Sequence, residues 1–149
     1  ELTVIDDRPD YANTDRFPGA RCIVGVIEDE LSKLTLTHSS YVVIVTRGHK
    51  RDAQALAAVI GSGARYVGLI GSKRKIVTIL RDLRAAGTPM EQIARVHAPI
   101  GLEIGAIRPQ EIAISIAAEL IAVRRGATLP AGSMRLTSGQ IAMIEQGAP

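Results

Sequence analysis

The run Tyr41-Val42-Val43-Ile44-Val45-Thr46 constrains the fold most, because an uninterrupted apolar and β-branched stretch of this length suits a strand covered on both faces. Gly48 ends it. Ala53, Leu56, Ala57 and Ile60 then recur at i, i+3, i+4 and i+7, which predicts one apolar stripe on a helix closed by Gly61. The same unit repeats at once. Tyr66-Val67-Gly68-Leu69-Ile70 reads as a second buried strand, Gly71-Ser72 as its exit, and Ile76, Leu80 and Leu83 as the stripe of a helix that stops at Gly87. Leu2-Thr3-Val4-Ile5 predicts an earlier strand that breaks at Asp6-Asp7-Arg8-Pro9, and Arg21-Cys22-Ile23-Val24 a weaker one. Val96-His97 begins a short extended piece, and Pro99, Gly101 and Gly105 break up the segment to about residue 108. Pro109, Glu111, Arg124-Arg125 and Gly126 punctuate a helix over about 109–125. Its interior from Ile112 to Val123 is apolar nearly all round, which predicts burial against the sheet or another protomer. The stretch from Ala127 onwards, with an apolar cluster at Ile141 to Ile144, gives no placement.

Strand and helix alternate throughout, so the expected fold class is α/β with a mainly parallel sheet and right-handed crossovers. At 149 residues and 46% hydrophobic content the chain can bury about two thirds of its unfolded surface, which excludes disorder. No apolar run reaches the roughly 20 residues of a membrane span. Cys22 is the only cysteine, so an internal disulfide is impossible, and a reducing, cytoplasmic compartment is expected. Glu1 stands where a translated chain has Met, so an upstream part is expected.

Charge is uneven along the chain. Residues 1–30 hold eight acids against three bases, whereas residues 31–149 hold fifteen bases against seven acids. An anionic partner is therefore expected. Tyr11, Tyr41, Tyr66 and Phe17 are too few and too scattered to stack bases, which argues against nucleic acid.

Ligands of parallel α/β sheets sit beyond the carboxyl ends of the strands, which singles out three turns. Asp6 stands where a dinucleotide-binding half places its ribose acceptor, although an acid capping a loop before Pro9 is the plainer reading. Gly71-Ser72-Lys73-Arg74-Lys75 combines a helix N-terminus, a capping serine and three cations, a natural seat for phosphate. Cations there oppose the helix dipole, so a compensating anion or a solvated face must tolerate them. Thr46-Arg47-Gly48-His49-Lys50-Arg51-Asp52 can position an anionic ligand, with His49 as donor or acid–base group. His97 precedes Ala98-Pro99-Ile100-Gly101, a bend that can aim a side chain inward or simply pack. Cys22 reads as a small buried apolar group, and His38 has nothing specific around it. No H-x-x-x-H, C-x-x-C or nucleophile elbow occurs, which disfavours metal hydrolase and triad chemistry; no catalytic or metal residue is assigned.

In order, the segments Val4-Ile5-Asp6-Asp7-Arg8-Pro9, Arg16-Phe17-Pro18, Tyr41 to Thr46 with His49 and Asp52, Tyr66 to Lys75, His97 to Gly105, and Pro109-Gln110-Glu111-Ile112-Ala113 resemble the C-terminal Rossmann domain of the XdhC/CoxI family, the xanthine dehydrogenase accessory proteins. The resemblance runs from residue 2 to about 125 and is carried most by the G-S-K-R-K and H-A-P-I-G-L segments together. It implies a partial Rossmann-like, doubly wound domain over 1–126, from its second strand onward, and an extension over 127–149.

The resemblance further implies a molybdenum-cofactor chaperone rather than a catalyst. Such a protein holds molybdopterin, in mononucleotide or dinucleotide form, for sulfuration by a cysteine desulfurase and insertion into an apo molybdenum hydroxylase. Asp6, Thr46, Arg47, Gly48, His49, Gly71, Ser72, Lys73, Arg74, His97 and Gly101 are the expected cofactor-binding residues, with Asp6 and His97 at the rim of the cleft. A homodimer is implied as well. The competing readings are an NAD(P)- or nucleotide-binding oxidoreductase and a non-catalytic assembly module whose 109–125 helix forms a dimer seam. Two departures bear on this. Arg108 stands where a threonine often caps the last helix, and the family's opening strand and glycine-containing turn do not precede the Asp6 strand. That strand lies between the Asp6 and Thr46 strands in such a sheet, so an upstream segment is expected to fill two otherwise unpaired edges.

Overall fold

The computed structural model describes residues 1–127 and 135–146. The chain forms two compact units, Glu1–Thr35 and Leu36–Pro149. In the first, β1 (Thr3–Asp6) and β2 (Arg21–Val24) pair in parallel with Thr3 opposite Arg21 and Asp6 opposite Val24. The crossover between them is tied down by Tyr11 and Ala12 amides donating to the Arg8 carbonyl, and Ala12 is buried beneath it. A short helix, α1 (Ile27–Ser32), comes next and buries Leu31. The sequence pattern did not predict α1, because six residues are too few to show a periodicity.

The second unit is built on β3 (Tyr41–Ile44) and β4 (Tyr66–Leu69), parallel, with Tyr41 opposite Tyr66 and Ile44 opposite Leu69. Residues 97–100 run along the other side of β4: the His97 amide donates to Val67, Leu69 donates to His97, and Ile100 donates to Leu69. β4 is thus central, and all four of its residues are buried. Each strand exit leads into a helix, α2 (His49–Val59) after β3 and α3 (Lys73–Ala85) after β4. α3 buries the predicted Ile76, Leu80 and Leu83 and adds Ile79. α2 departs from its predicted stripe. Leu56 and Ile60 are buried, but Ala57 is exposed and Asp52, Ala55 and Val59 are buried instead, because the helix is turned to bring Asp52 inward.

After α4 (Met90–Arg95), whose single buried residue is Ile93, come the 97–100 segment and α5 (Pro109–Arg125). Pro109 opens α5, and Gly126 closes it in the left-handed conformation at φ 65°. Arg108 at the cap is served by Glu111, whose Oε2 accepts the Ile107 and Arg108 amides at 2.8 and 2.9 Å. Within the chain α5 is expected to be buried against the sheet or another protomer; on the inner side it buries Ser115 and Glu119, while Ile114 and Ile121 are exposed. α6 (Ser138–Glu145) packs on α3 and buries Ile144, and the Leu136 amide donates to the Ala98 carbonyl. Those contacts place much of the expected extension, of which residues 128–134 and 147–149 lie outside the described residues.

β1 pairs with β2 and β3 with β4, and the two pairs are separate sheets. Among the described residues, no helix is long and apolar enough to cross a membrane.

Candidate functional site

Parallel registry sends three exits of the second unit out at the same end of its sheet. Ile44 lies opposite Leu69, the Ile70 amide donates to the Ile44 carbonyl, and Ile100 donates to Leu69. The Thr46–Gly48, Gly71–Ser72 and Gly101 bends therefore gather at one rim. Gly48, at φ 94° and ψ 152°, caps α2 in a conformation that a side chain rarely adopts, so glycine is required there. Ser72 caps α3, accepting the Lys75 amide at 3.3 Å. The first-turn amides of α2 and α3 face the rim with the positive ends of both dipoles.

The two helix starts are tied together through one carboxylate. Asp52, fully buried in the first turn of α2, accepts from Thr46 Oγ1 at 2.6 Å through Oδ1, and its Oδ2 pairs with Lys75 Nζ of α3. A buried acid is costly unless both oxygens are served, and here the β3 exit and the next helix each serve one. Lys75 is consequently neutralised. Arg47, His49, Lys50, Lys73 and Arg74 are exposed, and among the described residues none of these five is in an ion pair.

This arrangement makes a measurable prediction. Asp52→Asn keeps an acceptor for Thr46 but frees Lys75, which is 27% exposed and can turn to water. The substitution is expected to cost about 1–2 kcal/mol of stability. Added phosphate should then raise the melting temperature more in the variant than in the parent, since the rim gains a cation. Equal phosphate shifts in both proteins would show that Lys75 does not reach the rim.

Behind the Gly101 bend lies a buried polar network that the sequence pattern missed. Glu119 of α5, fully buried, accepts from Tyr66 Oη at 2.6 Å and from the Gly101 amide at 2.8 Å, and His97 Nδ1 lies 3.4 Å from its other oxygen. Burial alone would raise the Glu119 pKa. The His97, Tyr66 and Gly101 donors outweigh it and hold the carboxyl down at about 2. Burial, and then the bond to Glu119, push the Tyr66 phenol well up. Arg135 is partly buried in the field of Glu119 and donates to the Ala94 carbonyl.

Two expected site residues are thereby placed differently. His97 is buried, with its ring 4.4 Å from that of Tyr66, so it braces α5 against the sheet and does not stand at the rim. Gly101 lies at the rim, but its amide is spent on Glu119. One signal for the network was present: Glu119 is the lone acid in the interior of α5 from Ile112 to Val123, where Ser115 is the one other polar residue.

Asp6 belongs to the first unit. Its Oδ1 accepts from the Arg8 amide at 3.0 Å and Arg8 Nε at 2.8 Å, and its Oδ2 accepts from an Arg8 terminal nitrogen at 3.0 Å. The Arg8 bond, against a smaller opposing effect of burial, lowers its pKa. Arg8 in turn lies 3.5 Å above the Tyr11 ring, with Arg16 at 4.8 Å from the same ring. A sugar hydroxyl would have to compete with this bidentate clamp.

Known proteins agree with this architecture. The model of the XdhC Rossmann domain matches residues 1–120. An uncharacterised protein of Escherichia coli, YqeB, is 35% identical over 136 residues, 90% of this chain and 24% of its own length. A probable xanthine dehydrogenase subunit from Bacillus subtilis is 29% identical over 125 residues, 83% of this chain and 36% of its own. A solved structure of a xanthine dehydrogenase from Bacillus halodurans superposes with a TM-score of 0.72 at 32% identity, covering 87% of this chain and 37% of that one. The chain thus spans well under half the length of each of these relatives. With the parallel sheet, the glycine exits and the matched residues in hand, the chain belongs to the XdhC family, as its Rossmann domain.

Proposed function

We propose that this domain is the cofactor-holding part of a cytoplasmic accessory chaperone for a xanthine dehydrogenase-type molybdenum hydroxylase. The cargo is molybdopterin, held for sulfuration by a cysteine desulfurase and then passed to the apo hydroxylase. One observation carries the reading: two helix N-termini, tied through Thr46, Asp52 and Lys75, share a rim with the exposed cations Arg47, Lys50, Lys73 and Arg74. Such a rim suits the phosphate and the oxygen-rich metal centre of that cargo, because both are anionic and both accept hydrogen bonds. Ser72 and His49 add side-chain donors. A further strand of the full-length protein along the free edge of β3 would complete the sheet behind it.

The reading as a nucleotide-dependent oxidoreductase is less well supported, since the Asp6 carboxylate is already engaged by Arg8. Mass spectrometry of the purified full-length protein is the direct test. Pterin and molybdenum are expected to co-purify with it, and titration with NAD or NADP is expected to give no response. A protein that carries no pterin, or that binds NAD tightly, overturns the reading.

A further inference from the structure

Two of the three bends at the rim are held from behind by the segment 135–146. α6 packs on α3, whose first turn carries Lys73 and Arg74, and it buries Ile144. Just ahead of α6, buried Leu136 reaches the segment that ends in the Gly101 bend. His97 turns its amide and carbonyl to β4, and Ala98 turns its carbonyl the other way, where it accepts the Leu136 amide at 3.0 Å. Arg135 donates to the Ala94 carbonyl and lies in the field of Glu119, the carboxylate that holds the Gly101 amide. α6 is otherwise self-contained. The Gln140 amide donates to Thr137 Oγ1 at 3.4 Å, and the Thr137 amide donates to Gln140 Oε1 at 3.0 Å. A helix that satisfies its own first turn can dock and leave as a unit.

We infer that residues 135–146 form a strap whose docking sets the cargo affinity of the rim: docked, it fixes the start of α3 and the Gly101 bend, and its release loosens both so that the cargo passes on. The inference rests on the proposed function for the identity of the cargo, since a chaperone must surrender what it holds. Ordering is the physical link. With the strap in place the rim is set before the anion arrives, so binding has less of the chain to order and is tighter. Linkage makes the effect reciprocal. An anion on the rim must hold the strap down by the same factor by which the strap raises the anion's affinity.

Ile144→Asn undocks α6 without adding charge. Equilibrium dialysis of the full-length protein with inorganic pyrophosphate is expected to show about tenfold weaker binding in this variant. The Ile70 amide, which bonds to the Ile44 carbonyl, should exchange with solvent as slowly as in the parent, reporting an intact sheet. Met143→Asn, on the exposed side of α6, should bind like the parent.

The reciprocal measurement needs no variant. Saturating pyrophosphate is expected to slow exchange of the Leu136 amide about tenfold in the unmodified protein, and this result decides if Ile144→Asn loosens the sheet as well. Equal affinities in the parent and in an intact Ile144→Asn overturn the proposal, as does an equal loss in Met143→Asn. So does a Leu136 amide whose exchange ignores bound pyrophosphate. A parent that binds no pyrophosphate overturns the reading of the rim and the strap with it, whereas binding that ignores the strap overturns the strap alone.

Discussion

Glu119→Ala is expected to destabilise the protein by about 3–5 kcal/mol, among the largest effects a single substitution can have here. Alanine removes one acceptor and strands three groups at once: the Tyr66 hydroxyl, the Gly101 amide and the His97 ring nitrogen. Buried donors left without partners cost about 1–3 kcal/mol each before any relaxation. Relaxation by water is limited because Tyr66 is fully buried and His97 nearly so. Urea unfolding at neutral pH measures the loss, and Glu119→Gln, which keeps one accepting oxygen, should fall between parent and alanine. A loss under about 1 kcal/mol for alanine would show that the network does not hold α5.

The same carboxylate gives the protein an acid sensitivity of defined sign. Its pKa is lowered in the fold to about 2 from an ordinary value of 4.5. The folded state therefore binds fewer protons than the unfolded chain in the window between those values. Stability from ionised Glu119 is complete above about pH 4.5 and is lost as pH falls through about 2, with a total on the order of 3 kcal/mol. Asp6, also lowered by its arginine, contributes in the same direction. Unfolding followed from pH 6 down to pH 2 should thus show a smaller decline in Glu119→Gln than in the parent. Parallel declines would mean that other carboxylates govern acid unfolding.

What could be read from the sequence depends on the reach of each signal. β3, β4 and the limits of α5 were legible because their determinants are local: unbroken apolar runs, a proline at the helix start and a glycine beyond its end. The rim was legible for the same reason, since Gly48, Gly71 and Ser72 each come after a strand with its own apolar signal. Glu119 was not, because its meaning lies in Tyr66, 53 residues away, and a single acid in an apolar helix has no local pattern. Asp52 was seen as one charge in a turn, but its burial depends on Lys75 from the next helix. His97 sits among residues that break regular structure, and that flank suggested a loop; pairing with Gly68 draws it into the sheet instead. Gly68 is part of the reason this works, because a Cβ there would come within 2.5 Å of Ile100 and 2.7 Å of the Tyr66 ring. The outward face of α5 was hidden by composition, since its polar residues Ser115 and Glu119 lie on the buried side while the apolar Ile114 and Ile121 are exposed.

The second large effect is expected from Lys73→Glu combined with Arg74→Glu: roughly hundredfold weaker retention of an anionic cargo with no loss of fold. Both side chains are exposed and lie in the first turn of α3, so reversing them disturbs no packing. The helix dipole makes the contrast sharper. Cations at a helix N-terminus are unfavourable and acids there are favourable, by about 0.3–1 kcal/mol per residue. The double variant should therefore melt at the same temperature as the parent or slightly above it while losing the cargo. Stability and binding moving in opposite directions is the signature of residues placed for a ligand, because a face that merely tolerates its charges would gain stability and lose nothing. Equilibrium dialysis with inorganic pyrophosphate, together with the pterin content of the purified full-length protein, reads the binding side. The parent's affinity should also fall steeply with added salt, as an exposed cationic rim requires. Unchanged retention in the double variant would mean that the cargo does not sit at the start of α3.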